Sequence, residues 1–240
     1  YTFAAHSIGA ADTDRIVGVA IGACRTTDNT TATISTVKLG STTITIADQA
    51  AAALTGSAVV GGVAYFPFPT GTTSTIEVTF STGQTRCRVD VFRLIGKAAE
   101  AFSTTTDITI SADVVSGNIN IPLGGSAIAV AVANSNTAAY TAAAWTGLTE
   151  RSDSNLEGNT DVTSASLDVA AGDSALAVTT TFTGGGGSEG GVLVIASFGS
   201  NSITPDATNL RLVLEGLTFG PSHAQQTVTS TNTLSVCAAG

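Results

Sequence analysis

The acidic side chains of this chain are concentrated between positions 150 and 161, where they stand among Ser, Asn and Gly. Glu150, Asp153, Glu157 and Asp161 offer the hard oxygen ligands that Ca²⁺ prefers. Their spacing does not match an EF-hand, which needs acidic residues at alternate positions and a closing Glu. We therefore predict a solvated, charged loop here. Asp153, Glu157 and Asp161 are kept as weak candidates for a calcium site, and no other cofactor is expected.

Two aromatic residues, Tyr140 and Trp145, precede this acidic segment. An exposed aromatic ring can stack on a sugar, whereas a lone Trp in a β-sandwich more often fills the core. Tyr140 and Trp145 are therefore candidate glycan contacts, with core packing as the alternative.

The groups needed for nucleophilic catalysis are sparse. His6 and His223 lie near the two ends of the chain, and a catalytic triad needs a His that a carboxylate orients. Residues 184–187 are all Gly but lack the Lys and the following helix of a phosphate-binding loop. We expect a protein that is not an enzyme.

The three cysteines, Cys24, Cys87 and Cys237, form no CxxC pair, so a zinc site of the usual spacing is not predicted. Cys24 ends an apolar run and Cys87 begins a later one. If the two strands are antiparallel neighbours, their sulfurs can meet and form a disulfide in an oxidising compartment. Two buried thiols are the alternative.

The composition is typical of a β-rich protein whose surface carries few charges. Charged residues are 11% of the chain and hydrophobic residues 43%, against about 25% charged residues in an average domain. Abundant Thr and Ser suit pleated, half-exposed positions. The net charge of −9 argues against nucleic acid and anionic membranes as partners, because both attract Lys and Arg patches.

The elements that would position these residues are short strands. Residues 64–94 predict a half-buried hairpin, because Ile76, Val78 and Phe80 alternate with polar residues at period two. An entry arm with one short strand is expected over residues 1–14. Residues 48–54 (DQAAAAL) predict one or two helical turns, and residues 96–105 a linker.

The order of predicted strands and turns repeats after roughly a hundred residues, which indicates a repeat at the scale of a domain. We predict an all-β fold of two tandem antiparallel β-sandwich domains of the jelly-roll or immunoglobulin-like type, with terminal arms. The first domain covers residues 1–97 and the second residues 98–199, and residues 200–240 form a C-terminal strand and arm. One larger jelly roll is the alternative.

Several segments resemble a family of structural proteins from tailed bacteriophage virions. They are IGAADTDRIVGVAIGA (8–23), PTGTTSTIEVTFS (69–81), RCRVDVFRLIG (86–96), IPLGGSAIAVAVANS (121–135) and AAWTGLTE (143–150). The resemblance covers residues 8–199 and implies a β-rich tail or capsid-decoration protein without catalytic residues.

The expected function is therefore that of a phage structural protein, either a capsid decoration (cement) protein or a tail, fibre or spike subunit. It would self-assemble through sheet edges and terminal arms. Its partners would be copies of itself and other virion proteins, without nucleic acid or membrane. It would be assembled in the host cytoplasm and reside in the virion. The alternative is a carbohydrate-binding module that attaches to a host or cell-surface glycan.

Overall fold

The structure, a computed structural model, describes residues 1–110, 112–135, 137–186 and 189–201; the side chains of Glu157 and Glu189 are not described. These residues form antiparallel strands that follow one another along the chain: β1 Thr2–Ser7, β2 Arg15–Arg25, β3 Ile34–Leu39, β4 Thr42–Leu54, β5 Ser57–Pro67, β6 Thr73–Phe80, β7 Arg86–Ile95, β8 Lys97–Thr109, β9 Val114–Ile121, β10 Ser126–Ser135, β11 Tyr140–Thr146, β12 Thr149–Glu157, β13 Thr160–Asp168, β14 Asp173–Gly184 and β15 Glu189–Ser200. The predicted all-β class is confirmed. Within these ranges, no helix has the length and apolar character that crossing a membrane requires.

Strands β1 to β7 form one sheet, here called body 1, which curls into a near-closed barrel in the order β1-β6-β3-β4-β5-β2-β7. Its interior is filled by aliphatic side chains that include Ile21, Val37 and Ile76. Strand β6 alternates between buried and more exposed positions, whereas β2 is buried from Arg15 to Cys24. The continuous apolar run of β2 is what a strand covered on both faces requires.

Strands β8 to β15 form a second β body, here called body 2, from two antiparallel sheets. The five-stranded sheet has the order β12-β13-β10-β15-β8, and the three-stranded sheet has the order β11-β14-β9. Their facing sides enclose a core in which alanines of β10 meet larger side chains, among them Ile119, Val178 and Phe182.

The two bodies share a further core between β2 and β5 on one side and β10 and β15 on the other. Aliphatic side chains from both bodies meet there, and the rings of Tyr65 and Phe198 pack edge to face with centroids 5.2 Å apart. Residues 1–201 form one compact unit. The strands group on either side of the predicted boundary at residue 97, and the division into two domains stays a prediction.

The strand orders of the two bodies correspond. In body 1, β2 pairs with β5 and β7, and β6 pairs with β1 and β3; in body 2, β10 pairs with β13 and β15, and β14 pairs with β9 and β11. Strands β9 to β15 thus repeat the arrangement of β1 to β7. Two differences stand out. The β3–β4 ladder has no counterpart between β11 and β12, and β8 is an additional strand beside β15.

The predicted hairpin of residues 64–94 is wrong in its pairing. Residues 73–80 and 86–95 are strands, but β6 pairs with β1 and β3, whereas β7 pairs with β2. The reason is that β7 joins the doubly covered strand β2, which takes it to the opposite end of the sheet order. Alternation identified both strands but carried no information about their partners.

Two segments predicted without strand structure are strands. Residues 48–54 belong to β4, where Ala50, Ala52 and Leu54 are buried and the intervening residues less so. Pairing with β5 overrides the helix propensity of the Ala run, because tertiary contacts outweigh propensities of a few tenths of a kcal/mol, roughly, per residue. Residues 97–105, predicted as a linker, lie in β8 and pair with β15.

The N-terminal segment is part of the barrel and does not project as an arm. Strand β1 pairs with β6, and the Tyr1 ammonium group donates to the Val78 carbonyl at 2.8 Å. Ile8 is only 1% exposed. Residues 202–240, with the predicted C-terminal strand and arm, His223 and Cys237, lie outside the described residues.

Candidate functional site

The predicted acidic loop is a β-hairpin. Strands β12 and β13 pair antiparallel around a turn at residues 158–159, where Gly158 has a positive φ of 53° and its carbonyl accepts from Asn155 Nδ2 at 2.7 Å. Strand β12 is an edge strand, and charged or polar residues are a usual way of protecting such an edge. Its composition therefore resembles that of a loop, which explains the incorrect prediction.

This hairpin brings two of the predicted acidic residues together. Asp161 on β13 is 2% exposed, and its Oδ1 has no hydrogen-bond partner in the described residues. Burial, together with the charge of Asp153 and a hydrogen bond with it, raises the pKa of Asp161 to about 7. Asp153 Oδ2 in turn accepts from the Ala143 amide at 2.9 Å and so links β12 to β11.

We call the group formed by Trp145, Asp153, Asp161 and Thr163 the acidic seam. It lies between β11 and β12, which no backbone ladder joins in the described residues. A carboxyl group with a pKa near neutrality can hold or release a proton under ordinary conditions. No group of three or more His, Cys, Asp or Glu side chains suited to a metal ion occurs in the described part of the chain. The side chain of Glu157 lies outside that part, so the calcium site stays a prediction.

Removing the Asp161 carboxylate is expected to change how stability depends on pH. The folded-state pKa is about 7 and the unfolded value about 3.9, so the folded chain holds a proton that the unfolded chain releases between these values. The stability contributed by the neutral acid is complete below about pH 4 and lost as pH rises through 7. Asp161→Asn should therefore flatten the pH profile and make the protein more stable than the native chain at pH 8, by at most about 4 kcal/mol.

Urea unfolding between pH 4.5 and 8 would measure this effect. Asp14→Asn, at an exposed position before β2, is the matched control and should follow the native profile. Equal pH slopes for the native chain and Asp161→Asn would contradict the role given to this carboxyl group.

The two predicted glycan contacts lie largely inside body 2. Tyr140 is 4% exposed, its ring packs near Phe182 with centroids 5.4 Å apart, and its hydroxyl donates to Asp113 Oδ1 at 3.2 Å. Tyr140 therefore offers no free ring face to a sugar. Trp145 is half-buried against the same core and donates from Nε1 to Thr163 Oγ1 at 2.8 Å. A glycan contact by Trp145 stays a prediction.

We expect truncation of Trp145 to act mainly on stability. Trp145→Ala should lower the free energy of unfolding by about 2 kcal/mol, below the usual cost of about 3–5 kcal/mol for a fully buried aromatic residue, because the indole is only half-buried. Trp145→Phe should cost about 1 kcal/mol, since it keeps a ring but loses the hydrogen bond to Thr163. Urea denaturation tests both values. Unchanged stability of Trp145→Ala together with lost glycan binding would instead assign the indole to a sugar-binding surface.

Cys24 and Cys87 lie on neighbouring antiparallel strands, which is the arrangement that a disulfide would require, but no disulfide joins them. Cys87 is directly opposite Ala23, so Cys24 and Cys87 are one position out of register and point to opposite faces of the sheet. Cys24 belongs to the core shared by the two bodies, whereas Cys87 packs against the barrel interior. Burial raises the pKa of the Cys87 thiol to about 12, so this thiol is protonated at neutral pH.

A polar cleft that the sequence did not indicate lies where the two bodies meet. It has a volume of about 470 Å³ and is lined mainly by Thr, Ser, Asn and Gly. Two of its lining residues are hydrogen-bonded: Ser57 Oγ donates to Asn134 Oδ1 at 2.8 Å, and Asn134 Nδ2 donates to Thr160 Oγ1 at 2.6 Å. These buried bonds tie β5 of body 1 to β10 and β13 of body 2. Asn134 ends an apolar run, a position that gives no signal of such a partner.

The described residues thus contain the acidic seam, in which Asp161 is buried and Asp153 exposed, and a neutral polar cleft, both on an all-β frame. Comparison with protein-family models, with curated proteins and with solved structures found no match to this chain.

Proposed function

We propose that this chain is a non-enzymatic structural subunit that acts by associating with copies of itself, as in the virion of a tailed bacteriophage. One observation carries this proposal: the stacked sheets end in long strands whose outer edges are unpaired in the described residues. Strand β7 ends the sheet of body 1, and β8 ends the five-stranded sheet of body 2 at the end opposite the polar edge strand β12. Unpaired strand edges are templates for pairing with another chain.

The surface along β8 supports association. Phe102 and Ile108 on this strand are 59% and 52% exposed, and Ile110 just beyond it is 65% exposed. Exposed apolar side chains along an unpaired edge favour an interface over a surface that stays in solvent. The low charge content of 11% also suits close packing between identical copies.

We further propose that the two bodies are a tandem repeat of one β-sandwich arrangement. The corresponding strand orders support this, because β9 to β15 pair with one another as β1 to β7 do. We also propose that the subunit is assembled in the host cytoplasm and resides in the virion.

Sedimentation of the purified chain over a hundredfold range of concentration tests the proposal. We expect a closed oligomer or a growing filament, with negative-stain images showing its symmetry. A monomer at every concentration would contradict self-assembly. If that monomer bound surface glycans, the carbohydrate-binding alternative would replace the proposal.

A further inference from the structure

Two irregular places in the strand pairing of body 2 lie beside one surface pocket. Between β8 and β15 the register shifts at Phe102, an extra residue that has no partner on β15. Between β9 and β14 the register shifts between Asp173 and Leu176, where β14 has an extra residue. Bulges of this kind re-aim side chains and are common next to active sites. Phe102 and Asp173 both line the pocket.

This pocket, here called the Phe102 pocket, has a volume of about 380 Å³. Sites for small molecules have volumes of about 300–1,000 Å³ and combine apolar surface with a few polar groups. The ring of Phe102 lines the pocket together with the polar residues Asn120, Asp173 and Ser174. The pocket thus has the size and the mixed lining of a site for a small molecule.

The ring of Phe102 supplies an exposed aromatic surface. Its side chain is 59% exposed, and an aromatic ring in water forgoes the stabilisation that burial would give it. An exposed ring at the wall of a pocket therefore favours a ligand with an apolar face that can cover it.

The polar side of the pocket carries groups that can bind hydroxyl groups. Asp173 Oδ1 accepts from the Ala175 amide at 3.0 Å, which fixes the orientation of the carboxylate group. Within the described residues, Asp173 Oδ2, the Asn120 side-chain amide and the Ser174 hydroxyl have no hydrogen-bond partner. The pocket therefore offers a carboxylate oxygen, an amide and a hydroxyl to a ligand.

A buried hydroxyl group joins the aromatic and polar sides of the pocket. Ser197 is 0% exposed. Its Oγ donates to the Asn120 carbonyl at 2.6 Å and lies 3.4 Å from the Ser103 carbonyl oxygen. Because Ser103 directly follows Phe102, this contact fixes the position of the ring relative to Asn120. The pocket is held in shape by the protein itself, which lowers the entropic cost of binding a ligand.

The charge of the pocket selects among ligands. The described residues that line it include no Lys or Arg, and Asp173 adds a negative charge. Phosphates and acidic sugars would therefore be repelled. A quaternary ammonium ion is bound by a cage of several aromatic rings, whereas Phe102 is the single aromatic residue among those lining residues. An uncharged sugar fits both sides of the pocket, because its ring has an apolar C–H face and a rim of hydroxyl groups.

We propose that the Phe102 pocket binds an uncharged pyranose unit. Phe102 stacks on the C–H face of the sugar, and Asp173 and Asn120 bind its hydroxyl groups. The pocket contains neither of the glycan contacts predicted from the sequence, Tyr140 and Trp145. This binding activity goes beyond the proposed self-assembly and does not rest on it.

Saturation-transfer NMR of the full-length chain tests this proposal, with the methyl glycosides of glucose, galactose, mannose and N-acetylglucosamine as probes. At least one of them should receive saturation from the native chain, and the anionic methyl glycoside of N-acetylneuraminic acid should receive less. Phe102→Ala should weaken binding at least about fivefold, and Asp173→Asn about threefold, because a neutral amide is a weaker acceptor than a carboxylate. Ile108→Ala is the matched control. Ile108 is an exposed apolar residue of the same strand outside the pocket, and its loss should leave sugar binding unchanged.

The urea midpoint of Phe102→Ala should equal that of the native chain and show that the variant is folded, because the ring is exposed. Absence of saturation in all four uncharged glycosides, or equal binding by the native chain and Phe102→Ala, would overturn the inference. If Phe102→Ala changed the sedimentation of the chain but not its sugar binding, the ring would belong to an interface between copies, and the inference would again be overturned. A native chain that binds sugar through Phe102 but sediments as a monomer would uphold the inference and contradict the proposed self-assembly, so the two failures are distinguishable.

Discussion

Arg15→Met is expected to lower the free energy of unfolding by about 3–5 kcal/mol, the largest effect that we expect for one substitution. Arg15 is 1% exposed, and its guanidinium group donates to backbone carbonyls on both sides of it. Nε donates to Phe68 O at 2.6 Å, and Nη2 donates to Thr70 O at 2.6 Å. Nη1 donates to Gly9 O and Ala10 O, each at 2.8 Å. The side chain therefore ties the β1–β2 connection to the β5–β6 connection, and its loss would leave several carbonyls unsatisfied.

Urea denaturation of three variants would check this role. Arg15→Lys should recover less than half of the loss, because a single ammonium group cannot reproduce the planar array of guanidinium donors. Arg151→Ala, at an exposed position on β12, is the control and should stay within about 0.5 kcal/mol of the native chain. A similarly small effect of Arg15→Met would show that water satisfies the carbonyls equally well.

This role of Arg15 was not visible in the sequence. Arg15 precedes the apolar run that ends at Cys24, and it begins β2. The carbonyls that it binds belong to segments more than fifty residues apart, at Gly9 and Phe68 among others. Only the folded barrel brings those segments together, and carbonyl groups have no sequence signature because every residue carries one.

A strand can be predicted from sequence when one of its faces is exposed, because polar and apolar residues then alternate. It can also be predicted when both faces are buried, because its residues then form a continuous apolar run. The alternation of Ile76, Val78 and Phe80 and the apolar run that ends at Cys24 each reflect the local environment of one strand. Which strand pairs with which depends on contacts between distant segments, and the predicted hairpin failed for that reason. The segment 150–157 failed differently, because a polar edge strand and a loop have similar compositions.

The sequence pointed to Asp153, Asp161 and Trp145 as candidate site residues, but not to Thr163 and not to the environment in which they lie. Asp153, Asp161 and Trp145 do lie together, as clustering along the chain suggested. The burial of Asp161 could not be inferred, because it depends on contacts of β13 with segments that are distant in the sequence. Tyr140 is removed from solvent by the core of body 2, where its ring packs near Phe182 of β14. Burial, together with the charge of Asp153 and a hydrogen bond with it, raises the pKa of Asp161 to about 7.

The close contact between the two bodies leads to the second large effect, at a glycine of β2. A Cβ atom at Gly22 would lie 2.5 Å from Val162 Cγ1 and 3.0 Å from Val132 Cγ2, both in body 2. Distances this short require the shared core to move, because protein interiors are packed close to their maximum density. Gly22 is therefore needed for the sheets of the two bodies to approach each other.

Gly22→Val should accordingly lower the free energy of unfolding by about 3 kcal/mol, measured by urea denaturation. Ala53→Val adds bulk at an exposed position of β4 and should change stability by about 0.5 kcal/mol or less. Gly22→Ala combined with Val162→Ala should cost at least about 1 kcal/mol less than the sum of the two single changes, because the second change removes the side chain that the new methyl group would meet. If the stability losses of Gly22→Ala and Val162→Ala simply added, the two sheets would be able to move apart at Gly22 at no cost. The shared core would then not hold residues 1–201 as one unit.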